Sequence, residues 1–143
     1  MNDKYFIDTN IFVYSFQSDE PVKQGISQDL IQNALQEQTG CISSQVIQEF
    51  LNVATKKFNP PLSHQDSLKY LNMVLAPLCE VFNSLDLLRK ALEVSERWQY
   101  SLYDSMIITA ALQTKCATLY SEDMQHGQQI ESLVIENPFH VKS

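Results

Sequence analysis

Tyr5-Phe6-Ile7-Asp8-Thr9-Asn10-Ile11-Phe12-Val13-Tyr14-Ser15-Phe16 is the stretch that decides the fold. Tyr5-Phe6-Ile7 is an apolar run too short for a helix, and it ends abruptly in polar residues. It reads as a buried strand whose carboxyl end carries Asp8-Thr9-Asn10, with a short helical turn over Ile11–Phe16. The same unit recurs downstream. Cys41-Ile42-Ser43 predicts a second strand, with Ser44 as N-cap of a helix bearing Val46, Ile47, Phe50, Leu51 and Ala54. Cys79–Phe82, Ala117–Tyr120 and Leu133–Ile135 complete five strands.

Between the strands, apolar residues return at helical spacing. They do so over Gly25–Gln38, which Gly40 is expected to break, and over Leu85–Tyr100 and Leu102–Lys115. Ser63 caps a further helix in which Leu68, Leu71, Val74 and Leu75 share a face, after a loop at Asn59-Pro60-Pro61. Strands alternating with helices predict an α/β sandwich of three layers around a central, mostly parallel sheet. With 143 residues, the chain is expected to form a single domain spanning 1–143.

Charge narrows the function. Asp and Glu total 17 against 10 Lys and Arg, a net charge of −7, and Arg89 and Arg97 are the only arginines. That balance excludes a nucleic-acid binder held mainly by basic side chains on phosphate. It leaves an acidic site that reaches phosphate through a divalent metal. No apolar run approaches the roughly 18 residues needed to span a bilayer, and MNDKYFIDTN has no signal-peptide character. Cys41, Cys79 and Cys116 form no C-x-x-C pair and read as buried free thiols, the pattern of a soluble cytoplasmic protein. Walker A, G-x-G-x-x-G and G-x-S-x-G motifs are all missing from the sequence.

Four acids stand out by position. Asp8 follows the first strand directly, and Asp123 follows Ala117–Tyr120 by two residues, at the sheet edge where ligands of open parallel sheets bind. Each also suits a turn or a helix cap. Asp104 shares the apolar stripe of Ile107, Ile108 and Ala111, so its carboxylate needs a partner; cap and ligand are equally open roles for it. Glu49 borders the stripe of Val46, Phe50 and Ala54, where an ordinary boundary residue would also stand. Carboxylates packed together cannot all stay ionised without a compensating charge, and hard oxygen donors favour Mg²⁺ or Mn²⁺. Such an ion can activate water and polarise a phosphoryl oxygen, which fits phosphodiester hydrolysis. Among the histidines, His126 lies near enough to Asp123 to be an outer-shell candidate. Tyr100, Tyr103 and Tyr120 suit either core packing or stacking on bases.

In order along the chain, four segments resemble the motifs of the PIN-domain family, specifically its small single-domain VapC-like toxin ribonucleases. They are Phe6-Ile7-Asp8-Thr9-Asn10-Ile11, Val46-Ile47-Gln48-Glu49-Phe50, Tyr100 through Ala111 around Asp104, and Leu119-Tyr120-Ser121-Glu122-Asp123-Met124. The closing Asn137-Pro138-Phe139 also resembles the family. The resemblance implies a metal-dependent endoribonuclease with Asp8, Glu49, Asp104 and Asp123 as catalytic metal ligands for Mg²⁺ or Mn²⁺. Thr9 or Asn10, and Ser121, would position the acids or the attacking water. Glu122 is the competing acid of the fourth motif; Asp123 fits the hydroxyl-x-Asp spacing and Glu122 takes an outer or exposed place. An RNA substrate, a homodimer and an inhibitory antitoxin are implied in the same way. Two other readings compete. One is a non-catalytic RNA-binding or protein-interaction module on the same fold. The other is a phosphatase of the haloacid-dehalogenase type with Asp8 as nucleophile, disfavoured because Asn10 stands where a second Asp is required.

Overall fold

The computed structural model describes residues 2–140. Its elements run β1 (Tyr5–Ile7), α1 (Thr9–Tyr14), α2 (Pro21–Glu37), β2 (Gly40–Ser43) and α3 (Ser44–Lys56). Then come α4 (His64–Tyr70), a π-helical turn (Leu71–Leu75), α5 (Ala76–Leu78) and β3 (Cys79–Val81). The chain continues through α6 (Leu85–Trp98), α7 (Leu102–Gln113), β4 (Thr118–Tyr120), β5 (Gln129–Ile130) and β6 (Leu133–Glu136).

The strands form one sheet in the order β3-β2-β1-β4-β6-β5. All pairings are parallel except that of β5 with β6. Successive residues of β1 and β2 are buried although their side chains point to opposite faces, so helices cover the sheet on both sides. The expected α/β sandwich is therefore present, with six strands where the sequence indicated five. The extra strand, β5, has two residues, one of them the exposed Gln129, and no alternation could reveal it. Topology matters more than strand count here. β1 leads to β2 on one side while β4 lies on its other side, so the chain reverses direction across the β1–β4 boundary. That crevice is where open α/β sheets place their ligands.

Several local expectations shift for physical reasons. α1 begins at Thr9 instead of Ile11, because Asp8 caps it directly. α2 begins at Pro21, a residue suited to the first helical turn. Ser43, not Ser44, occupies the N-cap of α3; the Ser44 hydroxyl instead accepts the Asn83 N–H at 3.0 Å. Ser63 caps α4 as expected, accepting from the Asp66 N–H at 3.1 Å. Of the expected face, Leu68 is exposed, because the π turn that follows rotates the helix, whereas Leu71, Val74 and Leu75 pack against the core with Leu78.

Gly40 does not break α2. The helix ends at Gln38, which takes the left-handed conformation (φ 56°), and Gly40 opens β2. Glycine is needed there because a Cβ would lie 2.4 Å from Ala34 Cβ and 2.9 Å from the Tyr5 ring. Gly40→Ala should therefore push α2 off the sheet and destabilise the protein by about 1–3 kcal/mol. A urea melt measures this; an unchanged midpoint would show that the contact is not tight.

Candidate active site at the carboxyl edge of the sheet

Asp8 is the first residue past β1 and the N-cap of α1. One carboxylate oxygen accepts the Thr9 N–H at 2.7 Å and the other accepts the Ser121 hydroxyl at 2.8 Å. Ser121, fully buried, is the first residue past β4, and the Asp8 N–H donates to the Tyr120 carbonyl at 3.0 Å. The two strand ends flanking the crevice are thus tied together through one carboxylate.

The remaining acids arrive on separate elements. Glu49, half-buried on α3, accepts the Thr9 hydroxyl at 2.7 Å, which links α3 to α1. Asp123, exposed after β4, accepts from the Asn10 amide at 2.5 Å. Asp104 stands in the first turn of α7. The cap there is Ser101, whose hydroxyl accepts the Asp104 N–H at 3.2 Å, so capping does not occupy the Asp104 carboxylate. Ile107, Ile108 and Ala111 behind it are buried, but so are Ser105, Met106, Thr109 and Ala110, so the middle of α7 is buried on all sides rather than along one stripe. The Gln45 amide at the start of α3 donates to the Tyr103 carbonyl at 3.2 Å and holds α7 against α3.

Electrostatics bind the four acids into one group. Burial pushes the Asp8 carboxyl up to about 6, opposed by its hydrogen bonds from Thr9 and Ser121 and reinforced by the charges of Glu49 and Asp104. The Asp104 carboxyl is also raised by burial, opposed by a hydrogen bond with Ser101 and reinforced by Asp123 and Glu49. Lys23 is committed to a different acid. It pairs with Glu122 at 2.6 Å, and the Tyr14 hydroxyl donates to the same carboxylate at 2.7 Å. This pairing holds the Glu122 carboxyl below its usual range. Glu122 is therefore an anchor between α2 and the β4–β5 loop, and Asp123 is the acid joined to the cluster.

Oxygen donors in electrostatic reach of one another, with no cation ion-paired to them among the described residues, are the chemistry that suits a hard divalent cation. Among the described residues, no three His, Cys, Asp or Glu side chains stand close enough to make a ready-formed coordination shell. The acids are in electrostatic reach of one another without being drawn together.

Other candidates have structural roles. His126 Nδ1 accepts the Asn137 N–H at 3.0 Å and its ring stacks on His140, away from the acids. The Tyr100 hydroxyl donates to Gln128 and accepts the Gln125 N–H, while Tyr120 packs edge-on against Tyr5. Tyr103, 66% exposed beside Asp104, is the tyrosine of the three that faces solvent. Sequence reading missed Lys23, Tyr14, Gln45 and Ser101. Only Ser101 left a signal, since Ser-x-x-Asp before an apolar run is a capping signature. The Lys23–Glu122 and Gln45–Tyr103 pairings bridge residues too distant in sequence for any pattern.

Asp8 gives a prediction for the metal-free protein. A carboxyl raised from 3.8 to about 6 is destabilising when ionised. The penalty is complete above the folded value and disappears as pH falls from about 6 toward 3.8. In chelator, wild type should be less stable than Asp8→Asn at neutral pH by about 2–3 kcal/mol, and the gap should shrink to about 1 kcal/mol near pH 4.5 on its way to closing below 3.8. Urea melts at the two pH values check this; a gap independent of pH would show that Asp8 is not held as a strained anion.

Comparison with known proteins agrees with this architecture. Three solved structures are similar in fold. A toxin–antitoxin complex from Klebsiella pneumoniae has a TM-score of 0.67 at 16% identity, covering 96% of this chain and 100% of that one. VapC20 of Mycobacterium tuberculosis, a toxin that cleaves the sarcin–ricin loop, has a TM-score of 0.63 at 17% identity over 84% of this chain and 90% of that one. VapBC2 of Rickettsia felis, bound to a promoter DNA fragment, has a TM-score of 0.57 at 20% identity over 92% and 96% of the two chains. A search of curated proteins found no significant sequence match. The sequence profile of the PIN domain matches residues 5–128, which contain all four acids, the strand ends that present them and the crevice between β1 and β4. The chain belongs to the PIN domain family.

Proposed function

We propose that residues 1–143 act as a divalent-metal-dependent endoribonuclease, the toxin of a toxin–antitoxin pair. The observation that carries this reading is that Asp8, Glu49, Asp104 and Asp123 stand in electrostatic reach of one another around the β1–β4 crevice, with no cation ion-paired to them among the described residues. Asp8, Asp104, Asp123 and Glu49 would hold Mg²⁺ or Mn²⁺. When bound, the cation would supply Lewis acidity, lower the pKa of the attacking water and offset charge on the phosphate.

The chain's own groups do the rest. Ser121 and the Thr9 N–H fix both oxygens of Asp8, while the Thr9 hydroxyl and Asn10 orient Glu49 and Asp123. Over the buried Asp8, the half-buried Glu49 and Asp104 and the exposed Asp123 leave an acidic rim open to solvent. That rim suits an extended polyanion approaching an ion better than it suits a buried small substrate. Partners proposed on the same reading are an RNA, a cognate antitoxin and a second copy of the chain. Support for the antitoxin comes from family membership and from the toxin–antitoxin complex of Klebsiella pneumoniae among the similar folds. No helix of the described residues is long and apolar enough to cross a membrane, and a cytoplasmic setting is proposed with the activity.

The test is cleavage of labelled total RNA by wild-type protein. Fragments should appear with Mn²⁺, vanish in excess chelator and return when Mn²⁺ is restored. Cutting that persists in chelator would remove the metal from the reaction. The loose spacing of the acids favours one second reading, a non-catalytic RNA-binding module, which predicts RNA retention without cleavage in any metal.

A further inference from the structure

At the opposite, amino-terminal edge of the sheet, two thiols from distant parts of the chain meet. Cys41 lies on β2 and Cys116 in the turn between α7 and β4, on either side of β1. Their sulfurs are 3.5 Å apart, and the side chains are 0% and 2% exposed. The Thr114 hydroxyl lies 3.3 Å from Cys116 Sγ, and the Lys4–Glu80 ion pair, at 2.6 Å, sets charges of both signs near the two sulfurs. Cys79 stands apart, its thiol donating to the Val81 carbonyl at 3.6 Å.

We infer that Cys41 and Cys116 are a site of reversible oxidation, closing to an intramolecular disulfide when the protein meets a peroxide. Two sulfurs in contact need move only a little over an ångström to reach bonding distance of about 2.05 Å. Their environments also differ in the direction the chemistry requires. The Cys116 thiol is held below its ordinary value by its contact with Cys41, with help from Thr114 and Lys4 against the effect of burial. The Cys41 thiol is held well above it by the same contact and by burial. The Thr114 hydroxyl at 3.3 Å and the nearby Lys4 charge favour Cys116 as the sulfur oxidised first, with Cys41 resolving.

The step balances as two thiols and one hydrogen peroxide giving one disulfide and two waters. Cys116 sulfur displaces hydroxide from the peroxide and becomes a sulfenic acid, and the hydroxide takes a proton to form the first water. Cys41 sulfur then attacks Cys116 sulfur, expelling the sulfenic hydroxyl, which leaves as the second water with the Cys41 proton. Each sulfur loses one electron and the two peroxide oxygens gain one each. Cys116 follows directly on Lys115, which is exposed in the α7–β4 turn and has a left-handed backbone (φ 59°). The bond would join the strand leading to Glu49 with the turn linking the helix of Asp104 to the strand of Ser121, without touching the acids themselves.

Full-length protein treated with hydrogen peroxide, then denatured, alkylated and mapped by mass spectrometry, tests this. The expected product is one Cys41–Cys116 linked peptide, lighter than the two free peptides by about 2 Da, with Cys79 still alkylated and the link reversed by dithiothreitol. Oxidised wild type should also melt about 5 °C or more higher than reduced protein, because a long loop of the unfolded chain is closed. Cys116→Ser should lose that rise, and Cys41→Ser should advance to sulfinic acid at Cys116. Wild type that keeps both thiols alkylatable overturns the inference. So does oxidation of Cys116 beyond sulfenic acid with Cys41 free, or a link made through Cys79. The mapping is done on wild type, so the result stands even if a variant folds poorly.

Discussion

Asp104→Asn should reduce metal-dependent RNA cleavage by at least about 10³-fold, a loss of roughly 4 kcal/mol of transition-state stabilisation. The substitution keeps the shape of the side chain and removes its charge. Folding should survive, because the α7 cap is Ser101 and the buried residues behind Asp104 are unchanged. Removing a carboxylate whose ionised form is disfavoured by burial and by Asp123 and Glu49 relieves repulsion and should leave stability equal or slightly higher. Lost activity with an undiminished melting temperature is therefore the signature of a ligand in the reacting site. Unchanged turnover would remove Asp104 from that site, and parallel loss of fold and activity would make it structural.

Phe50→Ala should cost about 3–5 kcal/mol, lowering the melting temperature by roughly 10 °C or more. Phe50 is fully buried and is the centre of an aromatic cluster, with ring centroids of Phe12, Phe16, Phe58 and Tyr70 at 5.2–6.2 Å. It follows Glu49 on α3, so the same packing that seats α3 against α1 holds Glu49 within reach of Thr9. Truncation opens a cavity that flat rings on several elements cannot close together. Phe16→Ala, at a residue 40% exposed, should cost much less. Guanidinium melts of the two variants compare them directly; equal losses would show that the cluster does not centre on Phe50.

The sequence was most legible where burial and periodicity act on several consecutive residues. Tyr5–Ile7 and Cys41–Ser43 were visible because both faces of each are buried, so they read as short apolar runs, and Leu102–Gln113 was visible because its buried middle is rich in apolar residues. Asp8 and Asp104 were visible for the converse reason, being charges where hydrophobes belong. Boundaries were less legible. Gln38 and Gln99 end their helices in left-handed conformations without glycine, and Gly40 owes its place to Ala34 and Tyr5 across a helix–sheet contact. Roles set by long-range partners could not be read at all. Nothing local says that Lys23 claims Glu122, although the hydroxyl-x-Asp spacing pointed to Asp123 and Ser-x-x-Asp marks Ser101 as the cap before Asp104.

Calorimetric titration of Mn²⁺ into chelator-washed wild type, Asp8→Asn and Asp104→Asn examines the shared metal site without depending on the right RNA. Saturable binding should appear in wild type and weaken by at least about tenfold, 1.4 kcal/mol, in each variant. Absence of binding in wild type, or equal affinity in all three proteins, would contradict a common site on these acids.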